Sequence, residues 1–291
     1  MRQLFRDKGL QEEFNINGFV VVPMLSNEDV SRLLNLYNEH FPEIGDGFVS
    51  SSYLNSFEQK KQISDSAQEV LAPKISDWLQ DHVSLGSAFL CKAPGQNSML
   101  PMHSDWTIVD EGQFDAVNIW TPLTPVNETN GTLEILPESH RKFRVLRAPT
   151  MPFVAMGSED LIYPHMKKMK VNPGDAVILN QAVIHCSGPN QSNEPRIAMT
   201  SGATSDKADL QFNYWHREEK TLETFAMERD FLLRFDDFFN DIGQRPKIGL
   251  SIGSKPFDYG VLSREEVLGI VNPGASEIKP ESKSWWQKLW S

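Results

Sequence analysis

The chain is poor in cysteine, poor in positive charge and without any long apolar run, and each shortage removes a class of function. Only two of its 291 residues are cysteine, Cys91 and Cys186. They lie far apart and lack the spacing of a zinc ligand set, which argues against a cysteine-built metal site and a disulfide-stapled secreted scaffold. Such isolated thiols are expected to be reduced, buried packing residues of a cytoplasmic protein. Acidic residues outnumber basic ones 39 to 28, for a net charge of −11. A general nucleic-acid partner is disfavoured, because phosphates call for a basic face. No stretch approaches a membrane span, and the opening MRQLFRDKGLQEEF has no apolar core of signal-peptide length. What is present, 40% hydrophobic and 23% charged residues, is ample for a substantial globular core.

The N-terminal part reads as structural. Gly18-Phe19-Val20-Val21-Val22-Pro23 predicts a short buried strand closed by proline. Ser26 caps a helix with Asp29 three residues on, and Val30, Leu33, Leu34, Tyr37 and Phe41 form its apolar stripe up to Pro42. Residues 43–64 read as a polar loop, and 65–81 as one helix or two short ones divided at Pro73.

From Ser87 the pattern becomes short strands separated by turn signals. Strands are expected near 87–92, 97–102, 115–122, 132–137, 168–171, 175–180, 183–187, 196–204 and 211–215. Turns such as Ala93-Pro94-Gly95, Asn130-Gly131 and Asn172-Pro173-Gly174-Asp175 punctuate them. That organisation predicts a sandwich or jelly roll, mainly β with flanking helices. The segment 141–170 reads as a long insertion of the kind that forms lids and binding loops. Residues 219–240 are expected to be helical, closing a single domain over 1–272, with 273–291 a polar linker and tail. Three of the seven tryptophans fall in that tail. Residues 284–290 are expected to dock on the body or a second subunit, or to give weak membrane-surface contact.

Chemistry concentrates at two places. His103 and Asp105 are two residues apart, so on a strand both side chains leave one face. A distant histidine, His185, follows the β-run opened by Gly174-Asp175, and Arg196 lies on the expected return strand. Two imidazoles and one carboxylate on one side of a metal, with open positions opposite, suit non-heme Fe(II) acting on dioxygen.

Taken together, Lys92, His103-Ser104-Asp105, Trp120-Thr121, Asn130-Gly131-Thr132-Leu133, Leu136-Pro137, Ser139-His140, Gly174-Asp175, Ile184-His185, Ser187-Gly188, Asn190 and Arg196 resemble the phytanoyl-CoA dioxygenase family, over about residues 10–215. The resemblance implies a double-stranded β-helix, a cupin-like jelly roll, with Fe(II) held by His103, Asp105 and His185. It implies 2-oxoglutarate as cosubstrate and dioxygen as co-reactant, with ascorbate supportive. Arg196 then takes the far carboxylate with the Ser187 hydroxyl as second donor, and Trp120 and Lys92 contact the cosubstrate. The implied reaction hydroxylates a small-molecule, lipid-linked or sugar-linked substrate and releases succinate and CO2. Asp105 speaks against the related halogenases, which lack that carboxylate. Two departures, Ser104 in place of glutamine and Glu138 in place of glycine, weaken any transfer of substrate. His140 reads as a turn-fixing residue. The substrate walls are expected at Phe89, Met99, Met102, Trp106 and the insertion, whose Arg141, Arg144, Arg147, His165, Lys167 and Lys168 are available to an anionic group. The competing readings are a non-catalytic jelly-roll binding protein and a cupin-like metal isomerase or epimerase.

Overall fold

The computed structural model describes residues 3–41 and 45–273. Helices α1 (Lys8–Asn17), α2 (Asn27–His40) and α3 (Phe57–Trp78) precede most of the sheet. Strands β1 (Phe19–Pro23) and β2 (Phe48–Ser50) lie between them; β3 (His82–Lys92), β4 (Leu100–His103), β5 (Ala116–Pro122), β6 (Leu133–Ile135) and β7 (Lys167–Lys168) follow. The set is completed by β8 (Asp175–Asn180), β9 (His185–Ser187), β10 (Arg196–Ser205), β11 (Gln211–His216), β12 (Thr221–Ala226) and β13 (Leu250–Pro256). All strand pairings among the described residues are antiparallel.

A major sheet of order β1-β8-β5-β10-β3-β2 faces a minor sheet of order β4-β9-β6-β7. The apolar layer between them contains Phe19, Trp120, Leu133, Ile135, Val177 and Leu179. The outer face of the major sheet carries the helices through a second layer that includes Val20, Leu33, Leu71, Phe89, Ile119 and Met199. Both strand faces are therefore apolar where the sheet is covered twice, as in a jelly roll with helices laid against one side. A third sheet, β11-β12-β13, extends this body.

Local chemistry explains most of these elements. The Ser26 hydroxyl accepts from the Asp29 backbone N–H while the Asp29 carboxylate accepts from the Ser26 N–H, a complete capping box at α2. Gly18 ends α1 with φ of +82°, and a Cβ there would meet the His140 ring at 2.5 Å. With Nε2 of His140 3.2 Å from the Asn15 carbonyl, the ring fastens this turn to the strand region, as expected. Cys91 and Cys186 are both free and buried.

Several expectations change. The segment read as a loop over 43–64 contains β2 and the first turns of α3, which starts at Phe57 behind the Ser56 cap. Helix α3 runs on through Pro73 as one piece because Ile63, Ala67, Val70, Leu71 and Ile75 bury a continuous face, which outweighs the roughly 3 kcal/mol cost of an interior proline. Residues 96–98 form a short helical turn rather than the start of a strand. The helix expected over 219–240 is instead β12 followed by short helical turns at Phe231–Leu233 and Phe238–Asp241. The cause is burial on both faces: Leu222 packs with Met151 and Trp215, whereas Phe225 packs with Phe212, Phe231 and Phe235. Apolar residues at spacing three then mimic a helical stripe. The expectations for Pro42 and for the tail 284–290 lie outside the described residues.

Candidate metal centre

The minor sheet brings the two halves of the constellation together. Strands β4 and β9 pair so that His103 stands directly opposite His185, and their rings lie 4.2 Å apart. Asp105 follows just beyond the end of β4. Its Oδ1 is 3.6 Å from His103 Nε2 and 3.9 Å from His185 Nε2, and one donor atom from each of the three residues falls within 4.8 Å of the others. Among the described residues this is the one group of three or more such side chains close enough to share a metal.

Each candidate ligand is held in an orientation that suits a shared metal. His103 Nδ1 lies 2.8 Å from the Pro101 carbonyl and His185 Nδ1 lies 3.0 Å from the Val183 carbonyl. In the neutral ring with its proton on Nδ1, each histidine donates to its carbonyl and leaves the Nε2 lone pair facing the shared centre; at His103 burial is outweighed by Asp105 and the Pro101 carbonyl, which raise its pKa. Asp105 Oδ2 accepts from Asn118 Nδ2 at 3.1 Å, and the Asn118 carbonyl oxygen in turn accepts from the Thr200 hydroxyl. Arg147 Nε donates to the Asp105 backbone carbonyl at 2.6 Å, and its guanidinium is paired with Glu111. Burial resists ionisation of Asp105, but His185, His103 and Asn118 together hold its carboxyl well below the usual range. Burial and the neighbouring His103 push His185 down to about 4. The site therefore presents an anionic carboxylate and a neutral His185 near neutral pH, the forms in which both bind metal.

Behind the triad lies Arg196, at the start of β10 and 2% exposed. Strand alternation aims Arg196, Thr200 and Gly202 into one cavity while Ile197 and Met199 face the helices. The Trp120 ring lies 5.5 Å from the guanidinium carbon. Burial lowers the Arg196 pKa to about 10, so it remains a cation at pH 7. Two of its donors, Nε and Nη1, are buried and have no hydrogen-bond partner. A buried cation with vacant donors, close behind three metal-type ligands, fits a carboxylate-bearing molecule that also reaches the metal. The cavity has a volume of about 520 Å³ and includes Trp120, Ser187 and all three triad residues in its lining.

Other expected residues lie elsewhere. Lys92 stands opposite Arg196 in the β3–β10 ladder, but its ammonium donates to the carbonyls of Ser98, Ser187 and Gly188 and is absent from the cavity lining. It fastens the chain leaving β9, and burial, with Arg196 beside it, brings its pKa down to about 6. Of the expected substrate walls only Trp106 lines the cavity. Phe89 belongs to the layer under the helices and Met102 to a separate cluster with Leu136 and Ile184, because both sit one residue out of phase with cavity-facing neighbours. Met99 and the insertion 141–170 are likewise absent from the lining. Arg141 pairs with Glu138, Lys168 with Glu128, and Lys167 covers the Phe19 ring. Arg144 and His165 are exposed. Sequence reasoning missed Asn118, although its place two residues before Trp120 puts both on one strand face. It also missed the walls from β2 and residues 232–238, which only long-range packing brings to the site.

The fold has counterparts among solved structures. No curated protein matches the chain. Among solved structures, the α-ketoglutarate-dependent carbocyclase SnoK from nogalamycin biosynthesis is similar, with 19% identity over 70% of this chain and 86% of that one, at a TM-score of 0.51. HygX from Streptomyces hygroscopicus, solved with nickel and 2-oxoglutarate bound, aligns at 15% identity over 69% of this chain and 88% of that one, at a TM-score of 0.50. These likenesses place the fold as the jelly roll of such enzymes. The family model for phytanoyl-CoA dioxygenase (PhyH) matches residues 14–198, which carry β1, both histidines, Asp105 and Arg196. With well over half of its length matched, the chain belongs to the phytanoyl-CoA dioxygenase family.

Proposed function

We propose that the protein is an Fe(II)- and 2-oxoglutarate-dependent dioxygenase that hydroxylates a small molecule. The overall change, in which RH, 2-oxoglutarate and O2 become ROH, succinate and CO2, balances without any further reductant. The observation that carries the reading is Arg196, a buried guanidinium with two unpartnered donors in the same cavity as the His103–Asp105–His185 set. A ferrous ion with bound cosubstrate supplies the oxidising chemistry, as is usual where the cofactor performs the difficult step.

The chain's own residues bind and orient. His103, Asp105 and His185 hold the ion from one side. Arg196 grips the distal carboxylate of 2-oxoglutarate, with the Ser187 hydroxyl as a second donor and the Trp120 ring packed against the guanidinium. Asn118 restrains Asp105 Oδ2, leaving Oδ1 toward the histidines. Arg147 acts as a positioning residue by fixing the backbone of Asp105. No protein acid or base is needed, because no step asks a side chain to move a proton.

The test is labelled 2-oxoglutarate turned over to succinate by the purified protein with Fe(II) and ascorbate, paired with calorimetry of 2-oxoglutarate binding. Slow uncoupled turnover and measurable binding are expected, both lost in Arg196→Met. Neither turnover nor binding in the wild-type protein would return the chain to a non-catalytic jelly roll.

A further inference from the structure

The cavity's lining is chemically one-sided. Among its lining residues the side chains that carry fixed charge are Asp105 and Arg196, and the proposed function assigns one to the metal and the other to the cosubstrate. No basic residue of the expected insertion lines the cavity: Arg141, Arg147 and Lys168 are held in ion pairs, Lys167 covers the Phe19 ring, and Arg144 and His165 are exposed. Part of the lining is an aromatic wall. Trp106, the residue after Asp105, lies 6.0 Å from Phe238 with rings at 16°, nearly parallel. Phe238 meets Tyr53 at 4.9 Å, and Tyr53 meets Phe48 at 6.3 Å. Leu232 and Leu233 extend this surface. The remaining polar groups, including Ser52, Gln181 and Thr200, are neutral and suit hydroxyl or carbonyl oxygens.

We infer that the substrate is a neutral, predominantly apolar, ring-bearing small molecule, and that Trp106 and Phe238 select it. An anionic substrate entering here would be desolvated with no cation left to pair it, which is costly. A flat ring gains offset or edge contacts along the wall. The cavity volume of about 520 Å³ sits within the range of roughly 300–1,000 Å³ typical of small-molecule sites. A coenzyme A thioester, carrying several phosphates, does not match the lining. This assignment rests on the cosubstrate reading, because only an Arg196 already engaged leaves the cavity without a spare cation.

The experiment uses the full chain with Mn(II) and 2-oxoglutarate under nitrogen, and measures quenching of tryptophan emission by three probes: 2-methoxynaphthalene, 2-naphthoate and 2-naphthoyl-CoA. Trp106→Phe serves as the blank for the wall tryptophan. The neutral probe is expected to bind at least about tenfold more tightly than either anion, and Phe238→Ala to weaken it by about tenfold. Phe238→Tyr, which keeps the ring, should stay within about threefold of wild type and guards against a misfolded alanine variant. Equal or tighter binding of either anion, no effect of Phe238→Ala beside a folded Phe238→Tyr control, or no binding of any probe to protein that takes up 2-oxoglutarate overturns the assignment. A neutral preference in protein that fails to take up 2-oxoglutarate by calorimetry supports the apolar cavity and overturns the cosubstrate reading instead.

Discussion

Arg196→Met sets stability and binding against each other in a way a merely structural arginine would not. Arg196 is 2% exposed, and its Nε and Nη1 donors have no partner. A buried donor left unsatisfied costs about 1–3 kcal/mol, so the ligand-free protein carries roughly 2–6 kcal/mol of unfavourable desolvation at this one side chain. Methionine fills similar space without polar hydrogens. It forfeits the contact with Trp120, worth about 1–2 kcal/mol when desolvated. The ligand-free variant should therefore be as stable as the wild type or about 1–4 kcal/mol more stable, as for other buried charges exchanged for apolar residues. Ligand reverses the order of benefit. At 2-oxoglutarate a hundredfold above its dissociation constant, wild type gains about 2.7 kcal/mol, which at about 2–4 °C per kcal/mol is a melting shift of roughly 5–10 °C. Arg196→Met gains nothing, and Arg196→Lys, which keeps the charge but not the fork, gains only part. Urea and thermal unfolding of the three proteins with Mn(II), with and without 2-oxoglutarate, measure these stabilities. A ligand-free Arg196→Met that loses more than about 2 kcal/mol, or that keeps the full ligand-induced shift, refutes the reasoning.

Other outcomes follow from the same geometry. Asp105→Ala should abolish Mn(II) binding measured by electron paramagnetic resonance, while Asn118→Ala should lower affinity by about 10–100-fold as outer partners of metal ligands do; unchanged affinity in the second variant would remove Asn118 from the site. Arg147→Met should cost about 3 kcal/mol in urea unfolding, because it leaves Glu111 without its partner, and should also weaken metal binding. Arg144→Glu, on an exposed side chain, should change stability by less than about 0.5 kcal/mol, and equal effects of the two would contradict the assignment of Arg147 as a strut. Burial raises Asp115 from 3.8 to about 6 in the folded protein, so between those values the folded state keeps a proton that the unfolded chain releases. Stability from this group is then greatest at low pH and falls as pH rises toward 6, by at most roughly 3 kcal/mol. Asp115→Asn should flatten that slope in urea midpoints between pH 4 and 7, and an identical slope in both proteins would show that Asp115 is not its source.

How legible the site was depended on the distance over which each residue acts. His103 and Asp105 announce themselves because their spacing of two is itself a structural statement on a strand. Asn118 was readable by the same rule from Trp120, since both share one face of β5. Arg147 gave no such sign. In sequence it belongs to a basic insertion, and only folding shows its guanidinium to be tied to Glu111 and the Asp105 backbone. Lys92 misled for the opposite reason: it sits in register with Arg196, yet three backbone carbonyls claim its ammonium.

By itself the sequence determined the alternation of short strands, the capped helix α2 before them and the same-face pair His103 and Asp105, because each is written in local spacing and turn chemistry, while His185 and Arg196 stood out through the family resemblance. Tertiary structure decided which faces those strands turn inward, and hence that Phe89 and Met102 support the scaffold while Ala88, Leu90 and His103 meet the cavity. It also turned 221–226 into a strand buried on both faces, and brought Phe48, Tyr53 and Phe238 from distant segments into one wall. Such choices depend on which surfaces exclude water together, and burial of that kind is settled by the whole chain rather than by any window of it.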